Sequence, residues 1–255
     1  MFFKPERVFF FMENMNRKGQ VALFVIIAIL IVVAGGLVYN FAIKPSSSEI
    51  TGVDSVKTFI DDCIDKSFEE TVFNLGVTGG YYISTVNKTR EGFSYYFDGE
   101  SLTFPTREKM ETEIERGVVS ETIFCVGGFS DFSDLDISFG ELGADVKILD
   151  ERIEAEVKFP VSIKKGEEST LLKDFKGYKL NVRLGQIHNG LLKLFQDDYY
   201  SQQGSCVSCL LDFMDENSLT VDVYVEEEDQ IIVIEDSTLE RTDGVFKFIF
   251  ANRRY

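Results

Sequence analysis

The chain has 255 residues with 43 acidic against 26 basic side chains, a net charge of −17, a single histidine and no tryptophan. This excess of negative charge repels nucleic acid and anionic lipid headgroups, which argues against nucleic acid as a partner. With 24 phenylalanines and 10 tyrosines, the chain carries ample aromatic area for a genuine core.

The first element is Val21–Ile43, a charge-free run rich in Val, Ile, Leu and Ala. As a helix it extends about 34 Å at ~1.5 Å per residue, enough to span a hydrocarbon core of about 30 Å. A backbone crossing lipid must satisfy its hydrogen bonds internally, so the run is expected to be helical. Arg17 and Lys18 abut its start, with Lys4 and Arg7 upstream, whereas Lys44 stands alone at the other end. The positive-inside rule then places the N-terminus in the cytoplasm and residues 44–255 outside. A cleaved secretory signal has an apolar region of only roughly 7–15 residues, so the helix is expected to be retained. The resulting plan is a leader over 1–20, a transmembrane helix over 21–43, a linker over 44–52 and an extracytoplasmic domain over 53–255. Residues 1–43 hold four basic and two acidic side chains, which leaves −19 for residues 44–255.

The junction Arg17-Lys18-Gly19-Gln20 ahead of this apolar run resembles the class III, prepilin-like signal of archaeal pilins, archaellins and related surface proteins. The resemblance implies that a membrane peptidase cuts between Gly19 and Gln20 on the cytoplasmic side. The apolar run would then remain on the mature protein as an anchor or as a filament core. Phe24 stands where pilins often carry Glu; archaellins also lack that Glu. Met15-Asn16-Arg17-Lys18-Gly19 would make a compact leader, with residues 1–14 read as an extension from an early start codon. The resemblance is confined to residues 15–43. The chain is also similar to uncharacterised archaeal proteins that join a short leader and such an anchor to an acidic outer domain, a likeness that implies no activity.

Beyond the polar linker Lys44-Pro45-Ser46-Ser47-Ser48, the pattern predicts a helix over Asp54–Leu75. Val56, Phe59, Ile60, Cys63, Ile64, Phe68, Val72 and Leu75 recur at three- and four-residue spacing, and Gly76 is a stop signal. Asp61, Asp62, Asp65, Glu69 and Glu70 occupy its other faces, as on a solvated helix. Gly79-Gly80-Tyr81-Tyr82-Ile83 reads as a turn entering a strand, and a second strand is expected at Phe93–Phe97, closed by the Asp98-Gly99 turn. A second helix follows at Arg107–Phe124 with Thr106 as N-cap and Met110, Ile114 and Val118 on one face. Strands are predicted at Ala144–Leu149 and Arg152–Ile163, the latter alternating Ile153, Ala155, Val157 and Phe159 with charged residues. The segment Lys164–Lys176 reads as a loop where two lobes could part. Helical spacing returns over Leu180–Tyr200, weakened by Gly185 and Gly190. Three strands close the chain: Leu219–Val225, Gln230–Glu235 and Val245–Ala251, with Asp229 and Asp243-Gly244 in their turns. The expected fold is a mixed, mostly antiparallel α+β domain behind an N-terminal transmembrane helix.

All four cysteines, Cys63, Cys125, Cys206 and Cys209, fall on the outer side. An even count in an oxidising compartment favours disulfides and allows three pairings. The preferred one closes Cys206 to Cys209 locally and leaves Cys63 to Cys125, stapling the two early helices. Cys206-Val207-Ser208-Cys209 also has the spacing of a redox dithiol, which a helix N-terminus would activate, and of half a zinc site. No parallel βαβ unit precedes it and no second pair completes a ligand set.

Other candidate chemistry is thin. His188, mid-helix, reads as a surface or partly buried residue, and no Gly-x-Ser-x-Gly elbow exists for it to serve. Ser162-Ile163-Lys164-Lys165 matches Ser-x-x-Lys without the companion motifs. Asp131, Asp134 and Asp136, like the run Glu226–Asp229, read as solvated turns with only weak calcium character. Asn87-Lys88-Thr89 is a glycosylation sequon in an expected loop. No cofactor or metal is expected.

These readings lead to a single-pass cell-membrane protein, N-terminus in and C-terminal domain out, whose acidic, disulfide-stabilised domain binds or scaffolds other envelope components without catalysis. A pilin or minor pilin processed after Gly19, in contact with other pilus proteins, is the alternative. An extracytoplasmic thiol–disulfide enzyme using Cys206 and Cys209 is third.

Overall fold

The structure is a computed structural model that describes residues 52–83, 86–175, 177–196, 207–241 and 244–253. The expected leader, Gly19, Gln20 and the apolar run 21–43 lie outside the described residues. Among those described, no helix is long and apolar enough to cross a membrane. Residues 52–255 form one compact unit of α+β architecture.

Helix α1 (Gly52–Val77) buries the stripe Val56, Ile60, Ile64, Phe68, Val72 and Leu75, the face that its apolar periodicity marks out. The Gly79-Gly80 turn is present, but Tyr81–Ile83 form no strand after it, and strand β1 (Tyr95–Phe97) is shorter than the expected 93–97. Helix α2 (Arg107–Val126) opens on Thr106, whose hydroxyl accepts the Lys109 amide, and ends on Gly127 in the left-handed region at φ 52°. These are the caps that satisfy orphan amide and carbonyl groups at helix ends. The two helices run antiparallel: Cys63 meets Cys125 at one end, and Thr71 meets Gly117 further along. A Cβ on Gly117 would overlap Thr71 Cγ2, so the close approach of the helices requires glycine there.

A 3-10 turn (Gly127–Phe132) leads to β2 (Asp136–Phe139), β3 (Gly143–Ile148) and the long β4 (Ile153–Lys165). Next come β5 (Glu168–Asp174) and β6 (Tyr178–Leu180). Strand β4 is the spine of this antiparallel sheet. It pairs with β2 and β3 along one edge, and with β5 and β6 along the other. Its odd residues from Ile153 to Ile163 are all buried, the one-wet-face alternation expected of an antiparallel strand. Most of the segment read above as a loop between lobes, Lys164–Lys176, instead folds back as β5 against β4, from Lys165 opposite Glu168 to Lys158 opposite Asp174, with a register shift between Lys158 and Val161. Strand β5 lies at an edge and is exposed along most of its length, so it has no apolar alternation to announce it.

Helix α3 (Leu184–Gln196) starts later than the predicted Leu180, because β6 takes Tyr178–Leu180 into the sheet; residues 197–206 lie outside the described ones. Helix α4 (Val207–Asn217) precedes β7 (Thr220–Glu226), β8 (Asp229–Arg241) and β9 (Gly244–Arg253). The second sheet has the order β1-β9-β8-β7. It is antiparallel except that β1 lies parallel to β9, Tyr95 opposite Ala251. Asp229, expected in the turn, is the first residue of β8 and pairs with Glu226. Helix α1 packs against β9 and also against β4 and β6, while α2 packs on β3. One core runs between them, with Tyr96 stacked on Phe250 at 4.4 Å and Phe73 edge-on to Phe246 at 5.6 Å.

Candidate functional site

Helices α3 and α4 and the β3–β4 turn enclose an open cleft of about 500 Å³, lined in part by Asp150, Glu151, Asn189, Lys193, Asp212 and Glu216. The helices meet closely at its base, where Gly190 lies beneath the ring of Phe213; a Cβ there would overlap the ring. Arg107, at the start of α2, holds two of the lining residues in place. Its Nη2 donates to Asn189 Oδ1 at 2.8 Å and to Asp150 Oδ1 at 3.4 Å, while Asn189 Nδ2 donates to the same Asp150 oxygen at 3.0 Å. With Asp150 paired to Arg107, Glu151, Asp212 and Glu216 against Lys193 leave the cleft a negative field that favours cationic groups. The cleft pairs no nucleophile with a base, and among the described residues no group of three or more His, Cys, Asp or Glu is placed to hold a metal ion.

His188 turns away from this cleft into the core. It is 6% exposed, its Nε2 lies 3.2 Å from the Pro105 carbonyl, and its ring stacks on Phe104 at 4.9 Å. This corrects the expectation of a surface or partly buried residue: His188 stands four residues after Leu184 and so shares its buried face. Burial pushes its pKa below the ordinary imidazole value, outweighing the Pro105 contact, and the Arg107 charge acts in the same direction as burial. A neutral imidazole bonded to a backbone carbonyl is a packing residue.

Among the described residues, two carboxylates are buried. Glu113, 1% exposed, accepts Lys109 Nζ at 2.7 Å and Arg116 Nη1 at 3.3 Å on one oxygen. Its other oxygen accepts the amides of Tyr82 at 3.1 Å and Ile83 at 3.3 Å. Burial alone would raise its pKa, but Lys109 and the backbone donors outweigh it and hold the carboxyl below its usual range. Glu113 thus ties the Gly79-Gly80 turn to α2. Asp236, fully buried, binds Arg183 in the same manner. Sequence spacing marks neither residue as special, because Glu113 sits 30 residues or more from the amides it accepts and Asp236 lies 53 residues from Arg183.

The expected site residues are scattered. Cys63 and Cys125 form a disulfide with Cα atoms 5.7 Å apart, Cys63 buried and Cys125 exposed. Cys209, in the first turn of α4, is also disulfide-bonded; Cys206 lies outside the described residues. Asn87 is exposed and donates to Asp98 Oδ2 at 2.9 Å. Asp98 is held down to about 2 by the amides of Ser101 and Glu100 and by Asn87. Thr89 of the sequon is buried, its hydroxyl accepting the Phe93 amide at 3.3 Å. Ser162 is a ladder residue of β4, opposite Leu171. In the Glu226–Asp229 run, Asp229 accepts the Tyr95 hydroxyl at 2.6 Å, and Arg253 lies over the Tyr95 ring at 5.0 Å. Comparison with protein-family models, with curated proteins and with solved structures found no match.

Proposed function

We propose that the chain is a single-pass envelope protein, anchored through residues 21–43 with its N-terminus in the cytoplasm, whose outer domain binds or scaffolds other surface components without catalysing a reaction. The observation that carries this reading is the Cys63–Cys125 disulfide. Structural disulfides persist in oxidising compartments, and this one lies on the side of the apolar run that the positive-inside rule places outside. The acidic cleft between α3 and α4 supports a binding role toward a basic partner. The exposure of Asn87 suits a glycan-bearing surface loop.

The second reading, a pilin or minor pilin, is favoured by one feature, the Arg17-Lys18-Gly19-Gln20 junction. Mass spectrometry of the N-terminal peptide of protein purified from its native membranes separates the two. A mature chain beginning at Gln20 moves the filament reading to the front; one beginning at Met1, Met12 or Met15 leaves a plain signal anchor. The thiol-enzyme reading requires disulfide-exchange activity that disappears in Cys206→Ser or Cys209→Ser. The binding role instead predicts unchanged partners in both variants.

A further inference from the structure

Strand β7 is the outer edge of its sheet: β8 pairs along one side of it, and among the described residues nothing pairs along the other. Edges of this kind are ordinarily blunted by shortness, by charged side chains and lysine above all, by proline or by a bulge. The other edge of the same sheet, β1, spans only Tyr95–Phe97, and in the sheet built on β4 the edge strands β3 and β5 carry Lys147 and Lys173. The seven residues of β7, Thr-Val-Asp-Val-Tyr-Val-Glu, include no lysine or proline, and their charges are two carboxylates, Asp222 and Glu226. They pair with β8 in unbroken register from Thr220–Glu235 to Glu226–Asp229. Val223, Tyr224 and Val225 are 37%, 54% and 53% exposed. This is an open ladder of high β-propensity.

We infer that the β7 edge is a self-association surface, on which a second copy of this chain adds its own β7 antiparallel about a two-fold axis through Val223. The register follows from two constraints. The two-residue loop Glu227-Glu228 closes on the Glu226–Asp229 pair. Hydrogen-bonded and non-bonded pairs alternate along an antiparallel ladder, so residues 226, 224, 222 and 220 direct their backbone groups to β8. Val221, Val223 and Val225 direct theirs outward. A partner strand must therefore meet outward residue with outward residue. Of the extended registers that allow this, one sets Asp222 against Asp222 of the second copy, and another sets Asp222 against Glu226. The register centred on Val223 sets Asp222 against Tyr224 and Glu226 against Thr220, with no carboxylate opposite a carboxylate, and it aligns the three valines of each copy on one face. Cross-strand pairs of this kind are the unit of sheet stabilisation, and directly opposed like charges destabilise.

An edge contact this short is weak and reversible, and two acidic domains repel each other beyond the strand. Salt screens that repulsion, with a Debye length of about 8 Å at physiological ionic strength, so association strengthens as salt is added. The association stands whichever side of a membrane the domain occupies.

Covalent trapping tests it on the full chain in detergent micelles, and among the described residues no native cysteine is free to interfere. Hydrogen-bonded antiparallel partners lie about 5.5 Å apart at Cα, within disulfide reach. Mild oxidation of Val223→Cys is expected to give a disulfide-linked dimer at least about tenfold in excess of Leu171→Cys, an exposed position on the other sheet, because the paired register raises the effective thiol concentration. A mixture of Val221→Cys and Val225→Cys chains is expected to cross-link, and Val221→Cys alone is not. Equal, background-level trapping at positions 223 and 171 overturns the inference. So does capture of the Val223→Cys thiol in native membranes by a different protein in place of a second copy.

Discussion

Arg183 encloses the carboxylate of Asp236: Nε and Nη2 donate to one oxygen at 3.0 and 2.7 Å, and the Arg183 amide donates to the other at 2.9 Å. The same guanidinium donates to the carbonyls of Asn217 at 2.7 Å and Ser218 at 3.1 Å. It therefore locks the entry to α3, the end of α4 and the irregular stretch of β8 after Asp236 into one node. Removing one partner of a buried ion pair leaves the other uncompensated, at a cost of about 3–5 kcal/mol. Asp236→Asn, which keeps the shape and removes the charge, is expected to lower the unfolding free energy read from urea denaturation by an amount in that range.

The same node has an acid limb. Burial pushes the Asp236 carboxyl upward, but the Arg183 and Thr238 donors outweigh it and hold the pKa below the usual carboxylate range. A group with a depressed folded pKa contributes stability that is fully present above its unfolded pKa and is lost as pH falls through the folded value. Asp236→Asn should therefore flatten the fall in stability below the ordinary carboxylate range, beyond its constant penalty.

His188 supplies a separate pH dependence at milder acidity. Its folded pKa lies below the ordinary imidazole value of 6.5, so the unfolded chain takes up a proton at a pH where the folded chain does not. Stability is expected to fall as pH drops below about 6.5 and to level off beneath the folded pKa. His188→Gln, able to reach the Pro105 carbonyl without titrating, should remove that step in unfolding experiments run between neutral pH and mild acid.

Much of this architecture is legible in the sequence where burial imposes a period. The α1 stripe and the alternation of β4 correspond to faces that are in fact buried. Strands β2 and β5 leave no such trace because they lie at edges and are mostly exposed. The parallel pairing of β1 with β9 joins residues at opposite ends of the domain, and no local pattern encodes it. The cleft is legible least of all. Arg107, Asp150 and Asn189 are separated by 39–82 residues, and each looks like an ordinary surface polar residue until the chain folds.

The staple between α1 and α2 closes a separation of 62 residues. In the chain-entropy view such a crosslink contributes about 4 kcal/mol. The double variant Cys63→Ser/Cys125→Ser leaves Cys209 untouched and is expected to melt well below the parent. Each single variant should melt no higher than the double.

Helix contact at Gly117 makes a sharper test of packing. Gly117→Ala forces its methyl onto Thr71 Cγ2 and against Tyr82, and overpacking of this kind costs about 1–3 kcal/mol. Thr71→Ser removes the methyl that Ala would strike, so the double variant should recover part of the loss. Additive losses would place the strain elsewhere.

The central claim, an outer domain held by an anchor whose leader stays inside, is tested most directly by labelling intact cells with a membrane-impermeant amine reagent and mapping the modified lysines. Lys66, Lys147 and Lys179, with side chains 72%, 65% and 62% exposed, are expected to react in intact cells, whereas Lys4 and Lys18 react only after lysis. Protection of Lys66, Lys147 and Lys179 until the cells are broken would place the domain in the cytoplasm and contradict the account.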